Sequence, residues 1–271
     1  MPSTRQPAYQ RELSVASAAA RQAGALQMER YERLERIVHK SDFDVVTEVD
    51  GMSEEMIIAA LREAFPDDGF LAEESGRSHL RAPAGDGSTA QRLWVIDPLD
   101  GTVNYANGIP IFCVSIGLVV AGQPVVGVIY DPVRDELFSA VAGAGAQLDG
   151  LRIGHAGKDK LSDMVVSLAL PRRGWSRREG EVRKRIRVAR VLGSAALALA
   201  YVGNGRFDGF IQAGGLSLWD VCAAGLIAAE GGALISTLDG DAWFDASRPD
   251  RSIGLVAAPP AHHPTLLELL R

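Results

Sequence analysis

Two aspartates three residues apart, Asp97 and Asp100, follow the apolar run Leu93 to Ile96 and enclose Pro98 and Leu99. The run reads as a buried strand. Pro98 fixes its own φ and has no N–H, so regular strand is expected to stop there. Both carboxylates, and the Leu99 carbonyl held between them, can then face one point at the strand's end. Hard oxygen donors of that kind suit Mg²⁺, Mn²⁺ or Ca²⁺. Gly101 and Thr102 follow at once and offer bare backbone N–H groups and a hydroxyl. Metal ligands touching an anion cradle point to chemistry on a phosphate.

Three other acidic positions sit at the ends of expected elements. Glu73-Glu74 follows the apolar pair Phe70-Leu71, although adjacent acids also suit a solvated loop. Asp50 follows the expected strand Val45 to Val49 and precedes Gly51, where a turn would also want it. Asp220 opens the apolar segment Val221–Ala229, which reads as a buried helix, so cap and ligand are equal readings for it. Together Glu73, Asp97, Asp100 and Asp220 would bring four carboxylates from three segments. Converging without a cation, they would repel and raise one another's pKa. Two metals about 3.5–4 Å apart would remove that repulsion and bridge a phosphate. Thr102 is then placed to orient the attacking water, and Asp50 to accept a proton. His39, His79, His155, His262 and His263 lie away from these motifs, and no Ser/His/Asp or Cys/His arrangement competes.

The elements that must position these groups are partly readable. Residues 9–38 are expected to form one long helix or two, with Leu13, Ala16, Ala20, Ala23 and Leu26 at helical spacing. Val45-Val46-Thr47 is expected as a strand, and Ser53 as the N-cap of a second helix that ends at Phe65-Pro66. Residues 75–91 read as an exposed loop. Strands at 112–120, 124–130 and 136–141, with turns at Gly122-Gln123 and Asp131-Pro132, predict an antiparallel meander. A strand at 164–170 and a basic stretch follow, then alternating α and β to Val256.

This order predicts an α+β protein of layered αβαβα type. A single domain over 1–271 is expected, with an N-terminal α+β lobe to about 157, a C-terminal α/β lobe from 158, and a ligand crevice between them.

The chain has 271 residues, 47% of them hydrophobic, enough for a substantial core. Its net charge of -6 disfavours nonspecific nucleic-acid binding as the main role. Cys113 and Cys222 lie in apolar runs, as expected of buried thiols in a reducing compartment. No signal peptide or membrane span is expected, so the predicted location is the cytoplasm.

Three motifs then resemble the inositol monophosphatase family, within the lithium-sensitive, magnesium-dependent phosphatases. Asp97-Pro98-Leu99-Asp100-Gly101-Thr102-Val103-Asn104-Tyr105 is similar to that family's D-P-I-D-G-T-x-N-F. Trp219-Asp220-Val221 through Glu230-Gly231-Gly232-Ala233 is similar to its W-D-x-A-A-G…E-x-G-G. Val46-Thr47-Glu48-Val49-Asp50 and Glu73-Glu74 supply the upstream elements. The resemblance runs from about residue 10 to 260.

It implies a fold of the inositol monophosphatase and fructose-1,6-bisphosphatase type. Glu73, Asp97 and the Leu99 carbonyl would hold a first Mg²⁺, and Asp97, Asp100 and Asp220 a second. Glu73 would help hold a third, weaker ion. Mn²⁺ would substitute, and Ca²⁺ or Li⁺ would inhibit. Thr102 with Asp50 would activate water, Gly101 and Thr102 would bind phosphate, and Gly193-Ser194-Ala195 would lie beside the ring together with Asp220. Lys40 matches a basic residue found before the Asp50 element. A homodimer is implied.

The implied reaction is hydrolysis of a small phosphorylated polyol, inositol 1-phosphate first. The alternatives are fructose 1,6-bisphosphate, histidinol phosphate, adenosine 3′,5′-bisphosphate and NADP. One departure bears on the substrate. The family's ring-binding glutamate, a few residues before the Trp-Asp motif, has no counterpart in 211–218, where Gln212 and Ser217 are the polar candidates.

A reading of another class is a non-catalytic phosphate-sensing or interaction module, but its motif carboxylates would be eroded and here all are present. A third concerns residues 172–190, nine of which are Arg or Lys, as an RNA or protein patch. Glu179 and Glu181 interrupt that stretch, and Val182, Ile186 and Ala189 suggest the buried stripe of a solvated helix.

Overall fold

The computed structural model describes residues 8–33, 37–41, 44–78, 91–155 and 157–271. The N-terminal half runs α1 (Gln10–Arg30), β1 (Ile37–Ser41), β2 (Asp44–Thr47), α2 (Glu48–Ala64), β3 (Gly69–Ala72), β4 (Gly76–Ser78), β5 (Arg92–Asp100) and α3 (Thr102–Ala106). It continues through β6 (Cys113–Val120), β7 (Gln123–Asp131), β8 (Glu136–Val141), β9 (Gly145–Leu148) and β10 (Leu151–Ile153). The rest comprises β11 (Val165–Ala169), α4 (Arg172–Arg185), β12 (Val188–Arg190), α5 (Ala195–Gly203) and β13 (Gly209–Leu216). It closes with α6 (Leu218–Glu230), β14 (Leu234–Thr237), β15 (Ile253–Ala258) and α7 (His263–Leu269).

Two large sheets and three helix layers result, with β1 and β2 paired as a separate two-stranded antiparallel sheet. An eight-stranded sheet has the order β10-β9-β8-β7-β6-β5-β3-β4, and a five-stranded sheet the order β12-β11-β13-β15-β14. Alanines of α1 and Ile57 and Leu61 of α2 pack on one face of the first sheet, against Trp94, Ile116 and Val128. α5 and α6 share a core with residues of both sheets, from Val95 and Phe138 to Phe210 and Leu255. Val182, Leu266 and Leu267 of α4 and α7 cover the outer face of the second sheet. The layering is therefore αβαβα, as the order of elements predicts, and β6, β7 and β8 form the expected antiparallel meander.

Three local expectations are corrected. The helix expected within 9–38 ends at Arg30, and the next element among the described residues is β1. α2 begins at Glu48 with Thr47 as its N-cap, and Ser53 is buried inside it. α4 ends at Arg185, so Val182 and Ile186 are buried as expected but Ala189 belongs to β12.

A further correction matters for the site. β5 does not stop at Pro98 but runs on to Asp100. Asp97 pairs with Ser115 and Asp100 with Cys113, so β5 advances three residues while β6 advances two. That is a β-bulge, a place where proline's missing N–H leaves no ladder bond unmade. Side chains alternate faces along a regular strand, so Asp97 and Asp100 would oppose each other. The extra residue returns both to one face.

α6 is apolar on nearly every side and lies flush on β6 and β7. Leu218, Val221, Leu226 and Ile227 are each at most 5% exposed, and each contributes roughly 1.5–3 kcal/mol by burial. The close approach depends on glycine. A Cβ on Gly117 would meet Cys222 Sγ at 2.5 Å, and one on Gly127 would meet the Ala223 carbonyl oxygen at 2.6 Å. The Ser115 hydroxyl also donates to the Trp219 carbonyl, at 3.0 Å. The start of α6 is thereby fixed against the strand that faces β5. Gly127→Val is expected to destabilise the fold by about 3 kcal/mol, because backbone cannot yield as a side-chain tip can. Gly157→Ala, which would meet nothing within 4 Å, is expected to change nothing. Urea unfolding of the two variants checks both.

Candidate active site

β3 and β5 run parallel, with Ala72 opposite Ile96. Their C-terminal ends therefore lie at the same edge of the sheet, where ligands of such sheets gather. The Glu73 N–H continues the pairing by donating to the Ile96 carbonyl, at 3.2 Å. Glu73 is thus set beside Asp97. Carboxylate oxygens of Asp97, Asp100 and Asp220 all lie within 4.8 Å of one another. Asp97 and Asp100 are buried, and Asp220 keeps a partly open edge. Glu73 is close enough for its charge to act on both Asp97 and Asp220.

The same local device aims two of the acids. In Thr47-Glu48-Val49-Asp50, the Asp50 Oδ2 accepts from the Thr47 N–H at 2.8 Å and from its hydroxyl at 2.6 Å. In Ser217-Leu218-Trp219-Asp220, the Asp220 Oδ2 accepts from the Ser217 N–H at 2.6 Å. Both are the reciprocal half of a capping box, with Asp in place of Glu. Cap and site are not alternatives for Asp220, which occupies both positions.

Asp50 Oδ1 also accepts from the Thr102 hydroxyl at 2.9 Å, and the Leu99 carbonyl is a second acceptor for that hydroxyl at 2.9 Å. One proton serves two acceptors, so the hydroxyl is poised between them. Thr102 begins α3, and Gly101 before it has φ +100°, with the Ile111 carbonyl 2.9 Å from where a Cβ would stand. The loop closes this tightly only with glycine.

Gly193-Ser194-Ala195 leads into α5, whose N-terminus faces Asp100. The Ser194 hydroxyl donates to Asp100 Oδ2 at 2.5 Å, the Ala196 N–H to Oδ2 at 2.8 Å, and the Ala195 N–H to Oδ1 at 3.2 Å. The Cys113 thiol lies 3.7 Å from the same carboxylate. The Asn104 amide ties this loop to the motif by donating to the Ile111 and Leu192 carbonyls, at 2.7 and 2.8 Å. Residues 193–195 also line a cavity of about 300 Å³ whose floor includes Asp100 and Asp220. Gln212 lines that cavity. Ser217 is buried with its hydroxyl accepting from the Arg251 N–H at 2.9 Å. The side chain of Lys40 lies outside the described residues.

Thr47 and Asn104 escaped sequence reasoning as supports of the site, as did Glu54, a buried acid of α2. The T-x-x-D and S-x-x-D spacings carried a readable signal. Asn104 matches the asparagine of the family motif, whereas Glu54 carried no signal that separates it from ordinary helix polars.

With the geometry in place, comparison with known proteins is informative. The Inositol monophosphatase family matches residues 8–271. The chain belongs to the inositol monophosphatase family. An "Inositol-1-monophosphatase" of Mesorhizobium japonicum is 42% identical over 207 residues, 74% of this chain and 75% of that protein. A "Nus factor SuhB" of Pasteurella multocida is 39% identical over 236 residues, 84% of this chain and 85% of its own length. The crystal structure of the extragenic suppressor protein suhB from Bartonella henselae superposes with a TM-score of 0.85 at 32% identity, covering 96% of this chain and 98% of that one.

The electrostatics fit the metal dependence of this family. Burial, then Glu73, Asp100 and Asp220, push Asp97 well above the usual carboxylate range. Burial, then Asp100, does the same to Asp220, against the Ser217 N–H. Burial raises Asp100 despite its donors at α5, and raises Asp50 to about 6 despite its bonds to Thr47 and Thr102. Close-set oxygens that resist ionising are a donor set suited to a divalent cation.

Acids raised in the folded state support folding fully below about pH 4, where both states are protonated, and lose that support as pH rises through the raised values. Metal-free protein is therefore expected to lose thermal stability between pH 4 and neutrality. The gain in melting temperature on adding Mg²⁺ is expected to grow over the same range. Differential scanning fluorimetry across pH, with and without Mg²⁺, measures both trends.

Proposed function

We propose that the chain is a Mg²⁺-dependent phosphomonoesterase acting on a small phosphorylated polyol, with inositol 1-phosphate as the leading substrate. One observation carries the reading: three carboxylates from β5 and α6 meet within 4.8 Å beside a threonine hydroxyl bonded to a buried aspartate. Glu73, Asp97, the Leu99 carbonyl, Asp100 and Asp220 would hold Mg²⁺, which when bound offsets charge on phosphoryl oxygens and lowers the pKa of water.

The remaining work falls to the chain. Thr102, with its hydroxyl proton turned to ionised Asp50, presents a lone pair that accepts from a water and aims it. Asp50 receives the proton by way of that hydroxyl. The N–H groups of Gly101 and Thr102, at the start of α3, are the chain's donors toward phosphate. The neutral lining around Gln212 receives the polyol. The 42% identical relative named inositol-1-monophosphatase supports inositol 1-phosphate over the sugar, histidinol and nucleotide phosphates. Mn²⁺ substitution, lithium sensitivity, a homodimer and a cytoplasmic location belong to the same reading.

Asp97→Asn is expected to lower phosphate release at least about 100-fold, and Thr102→Ala and Asp50→Asn by about 10²–10⁴. Asp97→Asn is also expected to raise the metal-free melting temperature, because it removes a charge from a crowded buried cluster. A phosphate-release panel over the candidate substrates with Mg²⁺ titration ranks them. Turnover without added metal, or normal turnover by Asp97→Asn, contradicts the reading.

A second role is favoured by the relatives named Nus factor SuhB and by the exposed basic face of α4. Part of that face is occupied by ion pairs, Arg183–Glu179 and Lys184–Glu181, each at 2.7 Å. Salt-sensitive retention of RNA that is lost on replacing Arg177, Arg178 and Arg185 supports this role, and retention unchanged by those replacements removes it.

A further inference from the structure

We infer that Glu54 is a positioning residue of this site: its buried carboxylate grips the backbone of the β3–β4 turn and sets where the Glu73 carboxylate stands. The inference rests on the phosphatase reading above.

Glu54 lies in α2, four residues after Asp50 and so on the same helix face. It is only 4% exposed. Its Oε2 accepts from the Glu74 N–H and its Oε1 from the Ser75 N–H, both at 2.9 Å. β3 and β4 form a hairpin in which Ala72 pairs with Gly76, so Glu73, Glu74 and Ser75 are its turn. Two of the three turn N–H groups are therefore held by Glu54, and the third, on Glu73, donates to Ile96 of β5. The residue whose charge acts on Asp97 and Asp220 thus sits on a turn fastened from both sides.

The chemistry argues for a purpose beyond helix stability. A carboxylate buried in a helix face carries a desolvation cost that an alanine or leucine there would not. Paired N–H···O⁻ bonds offset that cost and are stronger and more directional than neutral ones. Both Glu54 oxygens are engaged by the backbone of the turn that carries Glu73. Glu54 therefore acts through Glu73. Because Asp50 and Glu54 share one helix, α2 sets the acceptor beside Thr102 and the turn bearing Glu73 as one rigid piece.

The test is Mg²⁺ and Mn²⁺ titration calorimetry on the full chain, as wild type, Glu54→Gln, Glu73→Gln and the double variant, with phosphate release measured in parallel. Glutamine keeps the volume and one acceptor but opposes an amide N–H to one of the two donors. Glu54→Gln is expected to weaken ion binding about tenfold and to lower kcat more than it alters KM for the phosphoester. The double variant is expected to bind ions no worse than Glu73→Gln alone, since a displaced turn has no further ligand to misplace. If Glu54→Gln fails to fold, Glu54→Met, similar in volume and uncharged, is read in the same way.

Ion binding within twofold of wild type, or losses that multiply in the double variant, overturns the inference while leaving the phosphatase reading intact. Wild-type protein that neither binds Mg²⁺ nor releases phosphate overturns the reading itself.

Discussion

Like charge held in a dry place is the constraint on which the structure turns. Two unit charges about 4 Å apart repel by about 4 kcal/mol at an effective dielectric of about 20. A hydrogen bond to a charged group returns about 1.5–3 kcal/mol net. Burial raises the pKa of Asp97, Asp100 and Asp220 despite the bonds each makes, and neighbouring carboxylates push Asp97 and Asp220 further up. A fold that gathers these groups must hold them by backbone geometry. The bulge in β5, the parallel pairing of β3 with β5 and the seating of α6 on two glycines are three such devices. Each acts on main chain, which does not swing away from a repelling neighbour.

Helix starts perform a second service. Asp50 and Asp220 each use one oxygen to satisfy the backbone of their own first turn, which leaves the other for the site. The carboxylates are aimed by the rule that aims a cap, with no long-range contact required. Loss of either first turn would therefore disable the site while most of the core remained packed.

What the amino-acid order revealed depended on how local the cause was. The meander, the buried α6 and the layered arrangement follow from hydrophobic period and turn residues, and they were legible. The missing N–H of Pro98 argues against a regular ladder, yet the same absence suits it to a bulge, and local sequence does not separate the two. Val45, Val46, Thr47 and Val49 favour a strand and so obscure the start of α2, although Thr47 and Asp50 have capping-box spacing. Glu54 among Ser53, Glu55 and Met56 looks like an exposed helix acid. Only the fold shows that a hairpin turn lies against it. The Gly193-Ser194-Ala195 element was legible as part of the site, but its grip on Asp100 was not, since it spans 94 residues.

The seat of Asp100 on the first turn of α5 has a consequence for exchange. The helix end carries partial positive charge and three donors, so Asp100 keeps a counter-pole of its own whichever ion is present. Were a divalent cation held here, as proposed, its departure would leave a carboxylate still partly compensated, rather than one that must tear the loop open to find water. Asp97, with one backbone N–H as its bond, has no comparable refuge. At the proposed metal site, ions would then come and go most easily on the Asp100 side of the cluster, and the Asp97 side would keep its tenant longest.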